Sequence, residues 1–388
     1  MFRITWRHLG YVISLGLALS GCDVLPVGET FTDTDRAEVV GARTIVALVP
    51  DRNSANFIAQ EAAATGYTTL DVTSLQGLGL IMLSYRMPNG VTPTEAISDL
   101  EAAVPRATVG VNHAYRLQAQ ASQANPLAYA DTMMRWSAGA CRANAPIGII
   151  DANVDVTSPA LTGADVTTRD FFVGAPARSN HGTEVASILA DPGRLAGAKI
   201  FAANVFGAPE NADLVAGADA LIRALNWMAE EDVRFVNLSL AGPYNKLLDL
   251  AVERAEGQGL ILVAAVGNDG PAADPLYPAG FDGVIAVTAV DANGRVYRNA
   301  VRGPHVDVAA PGVDILVATS ERPRFVTGTS IATPFVTARL AADPFFSKSR
   351  SMSDTRARLA TTSADMGPAG RDNVFGFGLA LADDICDS

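Results

Sequence analysis

Gly328-Thr329-Ser330-Ile331-Ala332-Thr333-Pro334 reads as a glycine-led turn that delivers a serine into the first turn of a helix. Taken alone, such a serine is an N-cap. Its reading changes with two stretches upstream: Asp151, which closes an apolar run from Pro146, and His181-Gly182-Thr183-Glu184-Val185-Ala186. From Pro146 onward strands alternate with helices. Lys199 to Phe206 is a strand, and Leu214, Ala218, Leu221, Ile222, Leu225 and Met228 share one helical face. Arg234 to Ser239 is again a strand, residues 245 to 256 form a helix that Gly257 can stop, and Leu260 to Val266 is a fully apolar strand. Val284 to Val287, Val306 to Ala309 and the helix after Ser330 complete the pattern. This alternation predicts an α/β fold, a mostly parallel sheet with helices on both faces.

Asp151, His181 and Ser330 supply an acid, a base and a nucleophile. A serine hydroxyl attacks poorly until an imidazole takes its proton, and that imidazole needs a carboxylate to fix its tautomer. Asp151 ends a strand, where parallel sheets carry functional residues. His181 opens a helix, and the positive end of the helix dipole disfavours its cation, so the imidazole is expected neutral at rest. A fourth member is Asn268 in Ala264-Ala265-Val266-Gly267-Asn268, just after an apolar strand. Its amide is placed to donate to an oxyanion beside the Ser330 amide.

These motifs, in the order Asp, His, Ser, resemble the subtilisin-like serine proteases over roughly residues 146 to 380. The resemblance implies a catalytic triad of Asp151, His181 and Ser330 with Asn268 in the oxyanion hole. It also implies that Ser239, Leu240 and Ala241 pair with substrate backbone and, with Ala265, Val266 and Gly267, wall the primary specificity pocket. Protein or peptide substrates are the expected partners. The chemistry requires no cofactor, and structural calcium is left open, since no ligand run with calcium or zinc spacing occurs. Tyr277-Pro278 is a cis peptide by the same analogy. Two departures stand out: Asp151-Ala152-Asn153 where the family has Ser or Thr and then Gly, and Ser158-Pro159-Ala160-Leu161 in place of His-Pro-Asp-Leu. Asn153 is therefore expected to adopt a glycine's backbone. The altered surroundings of Asp151 motivate a competing reading, an impaired scaffold that binds peptides. An esterase of the α/β-hydrolase type is excluded by the missing Gly-x-Ser-x-Gly elbow.

Residues 43 to 118 run strand, helix, strands, helix, strand, from Thr44–Val49 to Ala107–Val111. Thr92, Pro93 and Glu95 form a helix start of the capping-box kind. A small α+β unit of ferredoxin-like order in this position resembles the propeptide of these proteases, an intramolecular inhibitor removed by self-processing. Residues 119 to 145 read as linker and start of the mature enzyme, and 146 to 388 as the peptidase domain.

The 388 residues carry a formal charge of −12, which argues against binding nucleic-acid phosphates. At the amino end Arg3, Arg7 and His8 precede the apolar Gly10 to Leu19, too short to span a bilayer. Leu19-Ser20-Gly21-Cys22 resembles a bacterial lipoprotein signal over residues 1 to 21, implying lipidation of Cys22, a membrane anchor and a tether over 22 to 42. Cys141 and Cys386 remain, an even pair that favours a disulfide in an exported protein, with two buried thiols as the alternative.

Overall fold

The computed structural model describes residues 38–41, 43–117, 120–121, 129–136, 141–172, 175–176, 179–208, 215–317, 319, 323–383 and 385. The export signal, Cys22 and most of the tether lie outside them. Cys141 is disulfide-bonded, and Cys386, its expected partner, is also outside the described residues. Among the described residues no helix is long and apolar enough to cross a membrane.

The first domain comprises β1 (Thr44–Val49), α1 (Arg52–Ala64), β2 (Thr68–Leu75), β3 (Leu80–Arg86), α2 (Pro93–Ala103) and β4 (Thr108–Val111). Its sheet has the order β2-β3-β1-β4, antiparallel throughout, which is the ferredoxin-like arrangement. Helix α2 begins where the capping box put it: Thr92 Oγ1 accepts from the Glu95 amide, and Glu95 Oε2 accepts from the Thr92 amide at 2.9 Å. Helix α1 starts at Arg52 because Asp51 caps it, accepting from the Ser54 amide at 2.8 Å. Strand β1 is apolar at every position after Thr44, and the period of two explains why. Ile45, Ala47 and Val49 face the domain's own core with Ile58 and Leu100. Val46 and Leu48 turn the other way and join the core of the next domain, together with Leu80 and Met82.

Strand β5 (Ala114–Leu117) follows the first domain and pairs with the larger one, which contains β6 (Ile147–Asp151), β7 (Asp165–Asp170), α3 (His181–Leu189), β8 (Lys199–Asn204), β9 (Ala216–Gly217), α4 (Ala218–Glu230), β10 (Phe235–Leu238), β11 (Leu240–Ala241) and α5 (Lys246–Gly257). The larger domain continues with β12 (Ile261–Ala265), β13 (Val284–Val290), β14 (Val308–Pro311), β15 (Ile315–Val317), β16 (Arg324–Thr327), α6 (Thr329–Ala342), α7 (Met352–Thr362), β17 (Ser363–Ala364) and β18 (Leu379–Ala380). The main sheet has the order β17-β18-β14-β13-β12-β10-β6-β8-β7 and is parallel except at the β17–β18 edge. Every residue of β6, β10, β12 and β13 is buried, so both faces of the sheet centre are covered. Helix α5 starts at an Asn245 cap and has Gly257 as its last residue; the chain then reverses at Gly259, where φ is +86° and a side chain would be strained.

Helices α4 and α5 carry the first domain. Leu78 N–H donates to Asn226 Oδ1 at 3.3 Å, Lys246 Nζ meets Glu101 Oε1 at 2.6 Å, and Gly110 packs on Leu247. Asn112 Nδ2 donates to Asp219 Oδ1 at 2.6 Å.

Candidate active site

The central strands β6, β10 and β12 lie side by side, and each delivers a functional segment from its carboxyl end. Asp151 is the last residue of β6, Ser239 follows β10, and Gly267-Asn268 follow β12. His181 and Ser330 stand in the first turns of α3 and α6. The fold thus brings together residues that are far apart along the chain. His181 Nδ1 lies 2.7 Å from Asp151 Oδ1, and His181 Nε2 lies 3.1 Å from Ser330 Oγ. All three side chains are buried.

Asp151 Oδ1 also accepts from the Ala152 amide at 2.6 Å, while Oδ2 is buried with no hydrogen-bond partner among the described residues. The carboxylate is therefore held through one oxygen. Asn153 is not among the residues with positive φ, which corrects the expectation that it copies a glycine's backbone. The tight approach sits across from it: a Cβ on Gly182 would lie 2.1 Å from the Ala152 carbonyl oxygen, so the residue after the histidine must be glycine.

Burial pulls the His181 pKa down, but the Asp151 charge, its hydrogen bond and the Glu184 charge raise it further, with Arg324 opposing them. The net direction is upward. That direction runs against the helix dipole at the N-terminus of α3, because a carboxylate in direct contact favours the cation.

The backbone of Ser330 is held by a group from outside its own motif. Pro334 lies inside α6, four residues after Ser330, and has no N–H to offer the Ser330 carbonyl. Ser239 Oγ donates to that carbonyl at 2.7 Å instead, and Asn237 Nδ2 donates to Ser239 Oγ at 2.8 Å. The side chain of Ser239 thus turns toward Ser330 rather than outward to a ligand. Thr329, which the sequence reading passed over, holds Asn268: its amide and hydroxyl donate to Asn268 Oδ1 at 3.2 and 3.0 Å. Asn268 is thereby held through its oxygen end. Gly267, with φ at +99°, makes the turn before it, and its amide donates to Thr329 Oγ1 at 3.2 Å. Ala265 and Val266 are buried at the end of β12. Tyr277–Pro278 is cis.

Leu240 and Ala241 do pair with extended backbone, and that backbone belongs to this chain. Strand β5 runs antiparallel to β11, with Leu117 opposite Leu240 and Arg116 opposite Ala241, and antiparallel to β9 on its other side. Tyr115 packs over Gly242 and its hydroxyl donates to the Pro243 carbonyl at 3.1 Å. Beyond β5, Gln120 and Ala121 pair with Thr327 and Val326 of β16, the strand that leads to Ser330. The sequence reading ended the first domain's strands at Val111 and missed β5. Four residues carry too little alternation to announce a strand whose partners lie more than a hundred positions downstream.

Comparison with known proteins places this geometry. The fold resembles the crystal structure of fervidolysin from Fervidobacterium pennivorans, described as a keratinolytic enzyme related to subtilisin, with a TM-score of 0.70 and 22% identity over 92% of this chain and 65% of that one. At that identity the likeness is one of fold. In sequence, the chain is 30% identical over 258 residues to the minor extracellular protease Epr of Bacillus subtilis, covering 63% of this chain and 39% of Epr. It is 36% identical over 209 residues to a thermophilic serine proteinase of Bacillus sp. strain AK1, covering 50% of this chain and 51% of that one. The chain spans about half, or less, of the length of these two relatives. Residues 143–378, more than half of the chain, match the model of the subtilase family, and the chain belongs to that family.

Proposed function

We propose that this chain is a serine endopeptidase made as a self-processing zymogen and exported to the cell envelope. One observation carries the catalytic part: a single buried imidazole bridges Asp151 at 2.7 Å and Ser330 at 3.1 Å. In this reading His181 Nε2 takes the Ser330 proton as Oγ attacks a peptide carbonyl carbon. Asn268 and the Ser330 amide hold the oxyanion; losing such a side-chain donor costs roughly 2.7 to 4 kcal/mol of barrier, a magnitude established on subtilisin itself. His181 then returns the proton to the leaving amine, and water hydrolyses the acyl-enzyme. Asp151 keeps the imidazole in the tautomer this cycle needs.

The zymogen part is supported by register. Strands β5 and 120–121 flank Ser330 from two sides, in the extended form a substrate adopts, so the bond opened by self-processing falls between Leu117 and Gln120. The first domain is then the chain's own inhibitor, bound through α4 and α5. Export and anchoring rest on Leu19-Ser20-Gly21-Cys22: lipidation at Cys22 tethers the precursor to a membrane, and cleavage near residue 118 leaves the first domain there while the protease domain departs.

The test is the intact mass of the chain from residue 23 onward, as wild type and as Ser330→Ala. The expected result is loss of about 95 amino-terminal residues by the wild type alone, following from the register above. Two uncut proteins would remove self-processing, and failure of a fluorophosphonate to label Ser330 would remove the endopeptidase reading as well.

A further inference from the structure

We propose that Glu184 and Arg324 are positioning residues for His181, a single ion pair that locks the helix carrying the imidazole to the strand delivering Ser330. The inference rests on the endopeptidase reading and adds two residues to its machinery. Glu184 stands one turn after His181 on α3, and its side chain is 0% exposed. Arg324 opens β16, and its side chain is 43% exposed. Arg324 Nε donates to Glu184 Oε1 at 2.5 Å, and its Nη2 lies against the same oxygen. Glu184 Oε2 is buried without a hydrogen-bond partner among the described residues. A carboxylate with no exposure needs a cation, and among the described residues Arg324 reaches it.

Position makes this pair more than a structural tie. Strand β16 runs from Arg324 to Thr327, and Gly328 and Thr329 then lead into Ser330, so the pair joins the two elements whose spacing sets the His181–Ser330 contact. The same two charges act on the imidazole. Three charged groups influence it: Asp151 from β6, Glu184 from its own helix and Arg324 from β16. Two more carboxylates lie nearby on packed segments and are engaged elsewhere, Asp155 with Thr157 and Asp314 with Thr327. Glu184 favours the imidazolium and Arg324 disfavours it, so the two charges of the pair oppose each other at His181.

Catalysis needs neutral His181, so kcat/KM rises as pH passes upward through the imidazole pKa. Glu184→Gln removes a charge that stabilises the cation, and the acid limb moves to lower pH. Arg324→Gln leaves the Glu184 carboxylate unopposed, and the limb moves to higher pH. Arg324→Lys keeps the charge and keeps the limb near the wild-type position, with a lower kcat because an ammonium cannot copy the guanidinium fork. A residue that only stabilised the fold would lower activity at every pH and leave the limb in place.

The experiment is the pH profile of kcat/KM for the self-processed full chain in these four forms. Opposite displacements of at least a few tenths of a pH unit for Glu184→Gln and Arg324→Gln are the expected result. Coincident limbs, or displacement of both in one direction, would overturn the proposal. If Glu184→Gln does not fold, the comparison of Arg324→Gln with Arg324→Lys decides, and equal limbs again overturn it. A wild-type chain without peptidase activity would instead sink the endopeptidase reading on which this one stands.

Discussion

Asp151 shows how much one missing atom matters at the scale of a residue. Its Oδ1 receives both the imidazole and the Ala152 amide, and its Oδ2 receives nothing among the described residues. An unpaired buried acceptor costs about 1–3 kcal/mol. The residue that would supply a hydroxyl, by family resemblance, is the one at 152, where this chain has a buried alanine. Ala152→Ser is therefore expected to raise thermal stability by up to about 1 kcal/mol and to raise kcat/KM severalfold, since a carboxylate held by both oxygens orients His181 better. Denaturation curves and steady-state kinetics check it; a variant less stable than wild type would show that the site has no room for the hydroxyl. This deficit was legible in the sequence as Ala152. The neighbouring inference about Asn153 was not, because a glycine motif does not reveal which partner imposes the constraint. Here the constraint falls on Gly182, against the Ala152 carbonyl.

At the scale of elements, the sequence announced the start of α6 but not what completes it. Gly328-Thr329-Ser330 marks a helix entry by composition, and Pro334 within the helix follows from the same motif. That proline frees the Ser330 carbonyl, and the group that satisfies it comes from the far end of β10, where no local pattern points to it. The family resemblance assigns Ser239 a role through its backbone and leaves the task of its hydroxyl unannounced. The consequence is testable: Ser239→Ala leaves a buried carbonyl unpaired in the turn that carries Ser330. A loss of about 1–3 kcal/mol in stability is expected, with a drop in kcat larger than any change in KM. Chemical denaturation and kinetics measure both, and unchanged stability would mean that another donor reaches the carbonyl. Long apolar strands such as β12 were legible because burial on both faces leaves a continuous run. Strand β5 was not, since it is defined by partners on β9 and β11 rather than by its own four residues.

For the whole molecule, in the zymogen reading proposed above, the two faces of β1 decide whether the first domain stays. Ile45, Ala47 and Val49 belong to that domain's own core, whereas Val46 and Leu48 belong to the core of the peptidase domain. The split separates folding of the first domain from its docking. Leu48→Asp places a carboxylate on the docking face without touching the inner one. Burial of a leucine contributes about 1.5–3 kcal/mol, so the cleaved first domain is expected to bind its protease more than about tenfold more weakly. Phe57→Asp is the matched control, because Phe57 lies on α1 with 49% of its surface exposed and away from α4 and α5. Titrating each purified first domain against the self-processed protease reads the difference as an inhibition constant. Equal constants for Leu48→Asp and wild type would mean that β5, seated between β9 and β11, carries the inhibition by itself. In that event the sheet face serves to fold the protease rather than to restrain it, because a substrate-like strand needs no second anchor once the chain has been cut beside it.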